Sequence, residues 1–258
     1  MITCSLQGGL GNQMFQIAAT YALARRNNDT CSFNFINCHT PLQGNPSGKY
    51  KNNLLRNVFE NIDFQPRVYF REEAFAYEEL PYAEGLCLVG FFQSEKYFID
   101  YKDEIVNLFH LSQNDVETVH NFINYSERFD KPITSVHVRR GDYLQNPDFH
   151  VPCTVEYYKE AMEEIGDSYF FFVSDDMDWV KDNFKGPNIF YSTLNDEILD
   201  FTLITQCDNN IIANSSFSWW GAYLNKHEKK KVIAPKKWFG QNGPKDTQDI
   251  IPMDWKII

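Results

Sequence analysis

The sequence predicts an α/β fold with parallel sheets, and its pattern of strands and helices indicates this class. Short apolar runs typical of buried strands alternate with stretches of helical periodicity along the 258-residue chain. The alternating series starts again near residue 130, which predicts two Rossmann-like halves, residues 1–130 and 131–258, with their parallel sheets facing a cleft. In sheets of this kind, ligands bind beyond the carboxyl ends of the strands.

The first half is predicted to contain three strands and three helices. A glycine-rich turn joins the first strand to the first helix, and a loop rich in Asn, Gly and Pro, residues 37–53, follows the second strand. The third strand is one continuous apolar run, which is typical of a strand buried on both faces. The predicted strands are residues 2–6, 31–36 and 86–92, and the predicted helices are residues 12–26, 95–109 and 113–125.

The second half continues the alternation with short elements. Pro132 stands at the entry of its first strand, where a missing N–H is tolerated, and Thr154 is suited to cap the helix that follows. Strands separated by helices pair in parallel, because the crossover helix returns the chain to the end of the sheet at which the previous strand began. The predicted strands are residues 132–138, 169–173, 189–191, 210–213 and 231–234, and the predicted helices are residues 154–165, 176–184, 196–207 and 216–224.

Composition and charge exclude several classes of protein. A formal net charge of −11 argues against nucleic-acid binding, which needs a basic face, although a nucleotide ligand requires only a few local donors. The six cysteines are scattered, without a C-x-x-C pair or a histidine at ligand spacing, so they indicate free thiols. With no long apolar stretch and no signal peptide, the chain is predicted to be cytoplasmic and to lack a transmembrane segment. Peripheral binding at the inner face of the cytoplasmic membrane stays open.

The segment H-V-R-R-G-D-Y, residues 137–143, is the most informative stretch of the chain. It follows a buried strand, in which alternation places His137 and Arg139 on one face and Arg140 on the other. Guanidinium groups at the end of a buried strand need anionic partners, and planar, bidentate arginine suits a phosphate. We therefore predict that Arg139 binds a diphosphate, whereas for Arg140 a structural ion pair with Asp142 is an equal alternative.

A second candidate site is the glycine-rich turn G-G-L-G-N-Q-M, residues 8–14. A dinucleotide-binding fingerprint needs a small residue where Met14 stands and an acidic residue at the end of the second strand, and both are missing. The N–H groups at the helix start still favour an anion or sugar hydroxyls, through Gly9, Leu10, Gly11, Asn12 and Gln13. The alternative is a tight turn that Asn12 caps.

A pair of aspartates forms the third candidate. Asp175 and Asp176 follow a buried strand, where a carboxylate can accept two N–H groups of guanine, but either residue can instead cap the next helix. Residues 176–178 also match the D-x-D pattern that holds a divalent metal and a nucleotide diphosphate. This short pattern is frequent by chance, so it is a weak signal.

The fourth candidate is N-S-S-F-S-W-W-G, residues 214–221. Ser215, Ser216 and Phe217 stand at a predicted helix start, where hydroxyl and N–H groups form a phosphate cradle. Capping explains one serine, whereas the cluster together with Asn214 favours ligand binding. The two tryptophans of this segment are predicted to pack in the core.

Taken together, G-G-L-G-N-Q-M-F-Q, H-V-R-R-G-D-Y, S-D-D and N-S-S-F-S-W-W-G resemble the motifs of the bacterial, soluble α-1,2-fucosyltransferase family. They fall in the family's order and span the chain from Gly8 to Gly221. The resemblance implies a GT-B type fold, with an acceptor-side domain at 1–130 and a GDP-fucose-binding domain at 131–258. It also implies GDP-β-L-fucose as the donor, inversion at its anomeric carbon, and no metal or other cofactor. The implied acceptor is a galactose-terminated oligosaccharide, free or lipid-linked.

The resemblance also implies roles for individual residues. Arg139 corresponds to an arginine on the β-phosphate, His137 to a histidine near guanine, and Asp176 to a guanine-reading aspartate. The serine segment matches a phosphate-binding segment less closely, and Asn12 matches an asparagine of the acceptor-side loop. Without a metal, Arg139 and helix N–H groups would stabilise the departing diphosphate. Asp142 is a candidate for the base that accepts the acceptor proton.

Three other function classes stay open. A transferase of another GDP-6-deoxy-sugar would share the phosphate-binding residues. A metal-dependent D-x-D glycosyltransferase would lose activity on chelation. A glycan-binding module without catalysis would explain the aromatic residues, but it would not explain two arginines at a strand end.

Overall fold

A computed structural model describes residues 1–38, 46–125 and 130–258 and divides the chain into two compact units. The first unit comprises Met1–Ser112 and Lys245–Pro252, and the second comprises Gln113–Pro244 and Met253–Ile258. The predicted boundary at residue 130 differs from this division, because the helix before it packs within the second unit and a late segment returns to the first. Residues 39–45 of the predicted loop lie outside the described residues.

The first unit contains a three-stranded parallel sheet. Its strands are β1 (Thr3–Cys4), β2 (Val68–Arg71) and β3 (Leu86–Val89), in the order β1-β3-β2, and its helices are α1 (Leu10–Arg26), α2 (Ser47–Lys51) and α3 (Lys102–Leu108). The first and third predicted strands are confirmed in shorter form. The predicted strand at 31–36 is wrong, because only isolated bridges form there and the chain then turns into a 3-10 helix, Ile36–Cys38.

Two further elements of this unit differ from the prediction. β2 lies at the edge of the sheet and is mostly exposed, so it lacks the apolar run that identifies a buried strand. The helix predicted at 95–109 consists of two short 3-10 turns followed by α3. α1 agrees with its prediction and is buried along most of its 17 residues, which identifies it as the central helix of this unit.

The second unit contains six parallel strands in the order β6-β5-β4-β7-β8-β9. The strands are β4 (Ile133–Val138), β5 (Tyr169–Ser174), β6 (Ile189–Tyr191), β7 (Asn209–Ile211), β8 (Val232–Ala234) and β9 (Lys256–Ile257). The helices are α4 (Gln113–Tyr125), α5 (Val155–Ile165), α6 (Met177–Asn183), α7 (Glu197–Gln206) and α8 (Ser216–Leu224). The alternation predicted for the second half is therefore confirmed, and β9 is added by the end of the chain.

The strand order places a topological switch point between β4 and β7. From β4 the chain builds outward through β5 and β6, and it then crosses to β7 and builds outward in the opposite direction. Val136 and Val138 pack on one face of the sheet in a cluster with residues of α5 and α6, while Phe171 and Val173 pack on the other face with residues of α4 and α7. A sheet covered on both faces leaves the carboxyl ends of β4 and β7 as the expected ligand-binding edge.

The cysteines and the helices bear on the environment of the chain. All six cysteines carry free thiols, as predicted. Among the described residues, the helices are too short or too polar to cross a bilayer.

The packing of α8 on α7 gives a stability prediction. A Cβ atom on Gly221 would lie 2.5 Å from Cγ2 of Ile204, so Gly221→Ala is expected to force the two buried helices apart. We expect it to lower the free energy of unfolding by about 1–3 kcal/mol, measured by urea denaturation. Gly48→Ala is the control, because a Cβ there has no neighbour within 4 Å. Equal stability of Gly221→Ala and the wild type would contradict this packing.

Candidate functional site

The H-V-R-R-G-D-Y segment follows the topological switch point of the second unit. Strand alternation holds up to Val138, whose side chain joins the α5 and α6 side of the core. The His137 ring lies on the opposite side, with its centroid 5.4 Å from that of Phe217. β4 ends at Val138, so Arg139 and Arg140 belong to the loop, where their contacts decide their directions.

Arg139 is held between two carboxylates. Its Nη2 lies 2.8 Å from Oδ1 of Asp142, and its Nη1 lies 3.0 Å from Oδ2 of Asp175. The guanidinium carbon stands 5.6 Å from the centre of the Tyr143 ring. The side chain is still 30% exposed, so it is fixed in place and open to a ligand.

Arg140 has a different set of partners, and its ion pair is with Asp176 and not with Asp142, the partner that one alternative gave it. Its Nε lies 3.0 Å from Oδ2 of Asp176, and its guanidinium stacks 4.0 Å from the centre of the Trp179 ring. The backbone N–H of Arg140 donates to Asp175 at 2.9 Å. These contacts give Arg140 a structural role in joining the loop after β4 to the start of α6.

Gly141 makes room for this arrangement. A Cβ atom at this position would lie 2.7 Å from Oδ2 of Asp175, the oxygen that pairs with Arg139. Any larger residue would therefore displace the carboxylate that holds Arg139. The glycine of the motif is thus explained by close approach of a side chain from the neighbouring strand end.

The second aspartate of S-D-D is a helix cap. Oδ1 of Asp176 accepts the N–H of Trp179 at 3.2 Å, so the capping alternative is confirmed for this residue. Its other oxygen pairs with Arg140, and Asp178 lies inside the first turn of α6. Both oxygens of Asp176 are therefore engaged within the protein. Across the described ranges, no three His, Cys, Asp or Glu residues are grouped so as to hold a metal ion.

His137 is a neutral residue of this site. Burial, with a further contribution from the charge on Arg139, lowers the pKa of its imidazole to about 3. Its Nδ1 is buried and has no hydrogen-bond partner among the described residues. The ring can therefore exchange a hydrogen bond with a ligand but carries no charge at neutral pH.

The N-S-S-F-S-W-W-G segment begins α8, directly after β7. Ser215 is the N-cap residue, but its side chain makes no capping hydrogen bond to the helix. Phe217, in the first turn, is the residue that packs on His137. β4 and β7 are paired in parallel, so the start of α8 and the Arg139 loop follow neighbouring strands at the same edge of the sheet.

Other residues of this segment are structural. The Asn214 amide donates to the carbonyls of Val151 and Trp238 at 2.9 and 2.8 Å, which ties two loops to the start of α8. The carbonyl of Asn214 accepts the Tyr143 hydroxyl at 2.9 Å. Both tryptophans are fully buried, so their predicted place in the core is confirmed.

The glycine-rich turn belongs to the first unit, whereas the other three motifs belong to the second. Gly8 has a positive φ of 78°, and a Cβ on it would lie 2.5 Å from Nδ2 of Asn12. The N-cap of α1 is Gly9, and the Asn12 side chain packs against Gly8 of the turn. Oδ1 of Asn12 accepts from Nε2 of Gln93 at 2.8 Å. Gln13 donates to the carbonyl of Gly8 at 2.9 Å.

Leu10 and Gly11, two further predicted contacts of this turn, are buried. The Leu10 side chain is only 2% exposed, so its side chain serves the core. Any contact of Leu10 with a ligand would have to come from its backbone.

Sequence reasoning missed residues that complete the site. The His150 ring stacks on Tyr143, with centroids 4.4 Å apart and planes at 11°. Trp179 supplies the face on which Arg140 stacks. Neither residue belongs to a recognisable spacing, since His150 stands alone in a loop and Trp179 lies within an ordinary helical pattern. The fold alone brings them to this edge of the sheet.

The chain is similar in sequence to several known glycosyltransferases. The chain is similar to the O-antigen biosynthesis glycosyltransferase WbnK of Escherichia coli, with 33% identity over 96% of this chain and 98% of that protein. It is 28% identical to an alpha-1,2-colitosyltransferase of Escherichia coli, over 100% of this chain and 99% of that one. It is also 28% identical to galactoside alpha-(1,2)-fucosyltransferase 2 of Bos taurus, over 87% of this chain and 69% of that one.

The fold has a counterpart among solved structures. The structure of POFUT1 in complex with GDP aligns with a TM-score of 0.52 and 13% identity, over 90% of this chain and 96% of that one. The expected GT-B type α/β fold with parallel sheets is confirmed by this likeness and by the two sheets. The glycosyl transferase family 11 model matches residues 1–258, and the four motifs lie within that match. The chain is therefore a member of glycosyl transferase family 11.

Proposed function

We propose that this family 11 member transfers L-fucose from GDP-β-L-fucose to the 2-hydroxyl group of a terminal β-galactoside, with inversion at the anomeric carbon. The names of two relatives specify an α-1,2 linkage, and one of them specifies fucose and a galactoside. The acceptor would be a galactose-terminated oligosaccharide, free or lipid-linked. We place the reaction in the cytoplasm, at or near the inner face of the cytoplasmic membrane.

The position of Arg139 carries this proposal. It stands at the switch point of the six-stranded sheet, where two carboxylates fix it. Arg139 follows β4, and α8 follows β7, the strand that pairs with β4. Displacement of GDP builds negative charge on the β-phosphate, and preorganised donors at that place stabilise it best. Arg139 and the N–H groups at the start of α8 would supply these donors. Ser215 and Ser216 would contribute hydroxyl groups beside them.

Guanine would be bound at the neighbouring strand end. A carboxylate oxygen has two lone pairs, so Asp176 can accept from guanine while it caps α6 and pairs with Arg140. Asp175 is the alternative, and its oxygens already accept from Arg139 and from the backbone of Arg140. His137, neutral and buried, would exchange a hydrogen bond with the nucleotide.

The acceptor would be bound by the first unit, through the N-terminal turn of α1. Asn12 would orient the acceptor, with Gly9, Gln13 and the backbone of the turn beside it. Asp142 is our candidate for the base that accepts the proton of the acceptor hydroxyl. Its ion pair with Arg139 holds this carboxylate beside the proposed leaving-group contact.

A second donor has specific support. The chain is similar over its whole length to an alpha-1,2-colitosyltransferase, so another GDP-linked deoxy sugar could replace fucose. The contacts proposed for guanine and diphosphate would be the same for both donors. Only a direct comparison of the two donors separates the two proposals.

The first experiment tests donor, acceptor and metal dependence together. We expect the protein to form an α-1,2-fucosyl product from GDP-fucose and a β-galactoside in excess EDTA, with the linkage assigned by NMR. No divalent ion takes part in the proposed mechanism, because Arg139 and helix N–H groups stabilise the diphosphate. A parallel reaction with GDP-colitose is the matched control. Faster transfer from that donor, or metal-reversible loss of turnover, would contradict the proposal.

Arg139→Lys tests the leaving-group contact. Lysine keeps the charge but loses the two-pronged geometry, so we expect kcat to fall about a hundredfold or more at saturating donor, with the circular dichroism spectrum unchanged. Arg140→Lys is the matched control and should reduce stability more than turnover, because Arg140 pairs with Asp176 and stacks on Trp179. The opposite result, an active Arg139→Lys and a folded but inactive Arg140→Lys, would exchange the two roles.

Asp176→Asn separates nucleotide recognition from helix capping. Asparagine caps a helix as well as aspartate does, so the fold is retained while the charge is removed. Loss of a charge-assisted hydrogen bond costs about 1.5–3 kcal/mol, so GDP affinity measured by calorimetry should fall roughly ten- to hundredfold. Selectivity for GDP over ADP should fall with it. If Asp175→Asn has this effect and Asp176→Asn does not, Asp175 is the guanine reader.

A further inference from the structure

Glu72 is a carboxylate that neither the sequence motifs nor the proposed mechanism uses. It follows β2 directly, at the carboxyl end of the sheet in the first unit. Its Oε2 accepts the N–H of Phe91 at 2.6 Å, and its Oε1 accepts the N–H of Phe92 at 2.9 Å. The side chain therefore holds the turn that follows β3 through both of its oxygens.

This turn has a conformation that needs such support. Phe92 has a positive φ of 52°, which a residue with a bulky side chain rarely adopts. A Cβ on Gly90 would lie 2.4 Å from Cβ and 2.6 Å from Oε2 of Glu72, so only glycine allows the carboxylate to approach. Strained backbone persists where the surrounding contacts over-determine it, and it is concentrated at functional sites.

The turn positions Gln93 against the first turn of α1. Gln93 is 6% exposed, and its Nε2 donates to Oδ1 of Asn12 at 2.8 Å. The carbonyl of Gly90 accepts from Nε2 of Gln16 at 3.0 Å, which fixes the turn to the same helix. Glu72, the turn and the α1 start thus form one continuous set of contacts within the first unit.

The surroundings of Glu72 make its charge sensitive to pH. Burial raises its pKa to about 7, against the lowering effect of the Phe91 and Phe92 N–H groups, and the charges of Glu78 and Asp246 add to the rise. Tyr97, whose ring packs on Phe92, is a further titratable group beside it, and burial keeps its hydroxyl protonated.

We propose that Glu72 is a positioning residue for the acceptor: it holds residues 90–92 so that Gln93 fixes Asn12 toward the hydroxyl groups of the acceptor sugar. The inference rests on the proposed function, since it deepens the role given to Asn12. A neutral sugar suits this place, because amide groups both donate to and accept from hydroxyls.

The ionised carboxylate is the form that does this. It accepts two N–H groups, whereas a protonated carboxyl presents a donor to one of them. Acceptor binding is therefore lost as pH falls through the pKa of Glu72, and it is complete above that pH. Donor binding belongs to the second unit and is unaffected by this ionisation.

Glu72→Gln and Gly90→Ala test the proposal from both sides of the contact. At saturating GDP-fucose we expect the KM for a β-galactoside to rise about tenfold in each variant, with kcat changed less than about threefold. GDP affinity measured by calorimetry should equal that of the wild type. The wild-type kcat/KM for the acceptor should fall below about pH 7, and Glu72→Gln should lack this dependence. Glu73→Gln, an exposed neighbour, is the matched control and should behave as wild type in all four measurements.

An unchanged acceptor KM in both variants would overturn the proposal, as would a fall in kcat alone, which would indicate proton transfer. If the variants do not fold, as judged by near-ultraviolet circular dichroism, the wild-type pH profile decides: no ionisation near pH 7 in kcat/KM for the acceptor overturns the proposal. Failure of the proposed function gives a different result, namely a wild type that does not transfer from GDP-fucose to galactosides. The comparison of variants is then made with the donor and acceptor that it does use.

Discussion

The ion pairs of Arg139 are the interaction on which the candidate site depends. A guanidinium at the end of a buried strand is costly unless anions meet it, and here Asp142 and Asp175 do so at 2.8 and 3.0 Å. The second pair needs Gly141, since a Cβ there would lie 2.7 Å from the Asp175 carboxylate. The result is a cation fixed in direction and still partly exposed, at the switch point where α/β sheets bind their ligands. A charged phosphate would meet donors that need little rearrangement.

The same device occurs in both units. Asp175, after β5, accepts the N–H of Arg140 in the loop after β4, and Glu72, after β2, accepts those of Phe91 and Phe92 in the turn after β3. In each unit the carboxylate comes from one strand end and fixes the loop of the neighbouring strand. Each contact also requires a glycine, Gly141 or Gly90, because a Cβ would meet the carboxylate. In each unit, a carboxylate side chain therefore fixes the conformation of a loop that has no regular secondary structure of its own.

Much of the fold could be predicted because its strands are apolar and buried. In the second unit, each predicted strand and helix is present, since burial on both faces produces continuous apolar runs between helical patterns. The first unit was predicted less well. β2 is an exposed edge strand without such a run, and the apolar residues around Phe33 make only isolated bridges. The local pattern of apolar residues indicates which segments are buried, but it does not indicate which exposed segments pair as strands.

For the site, the sequence by itself determined the motif residues and their place at strand ends, because the types of side chain and the length of each run are local properties. Tertiary structure alone decided the partners. The sequence offered Asp142 as an ion-pair partner for Arg140, but β4 pairs with β5 in the register that sets Val138 beside Ser174. This register brings Arg139 to Asp175 and leaves Arg140 to Asp176 and Trp179. The roles of His150 and Glu72 likewise follow from tertiary structure alone, because their contacts join segments that are distant in sequence and that meet only in the folded chain.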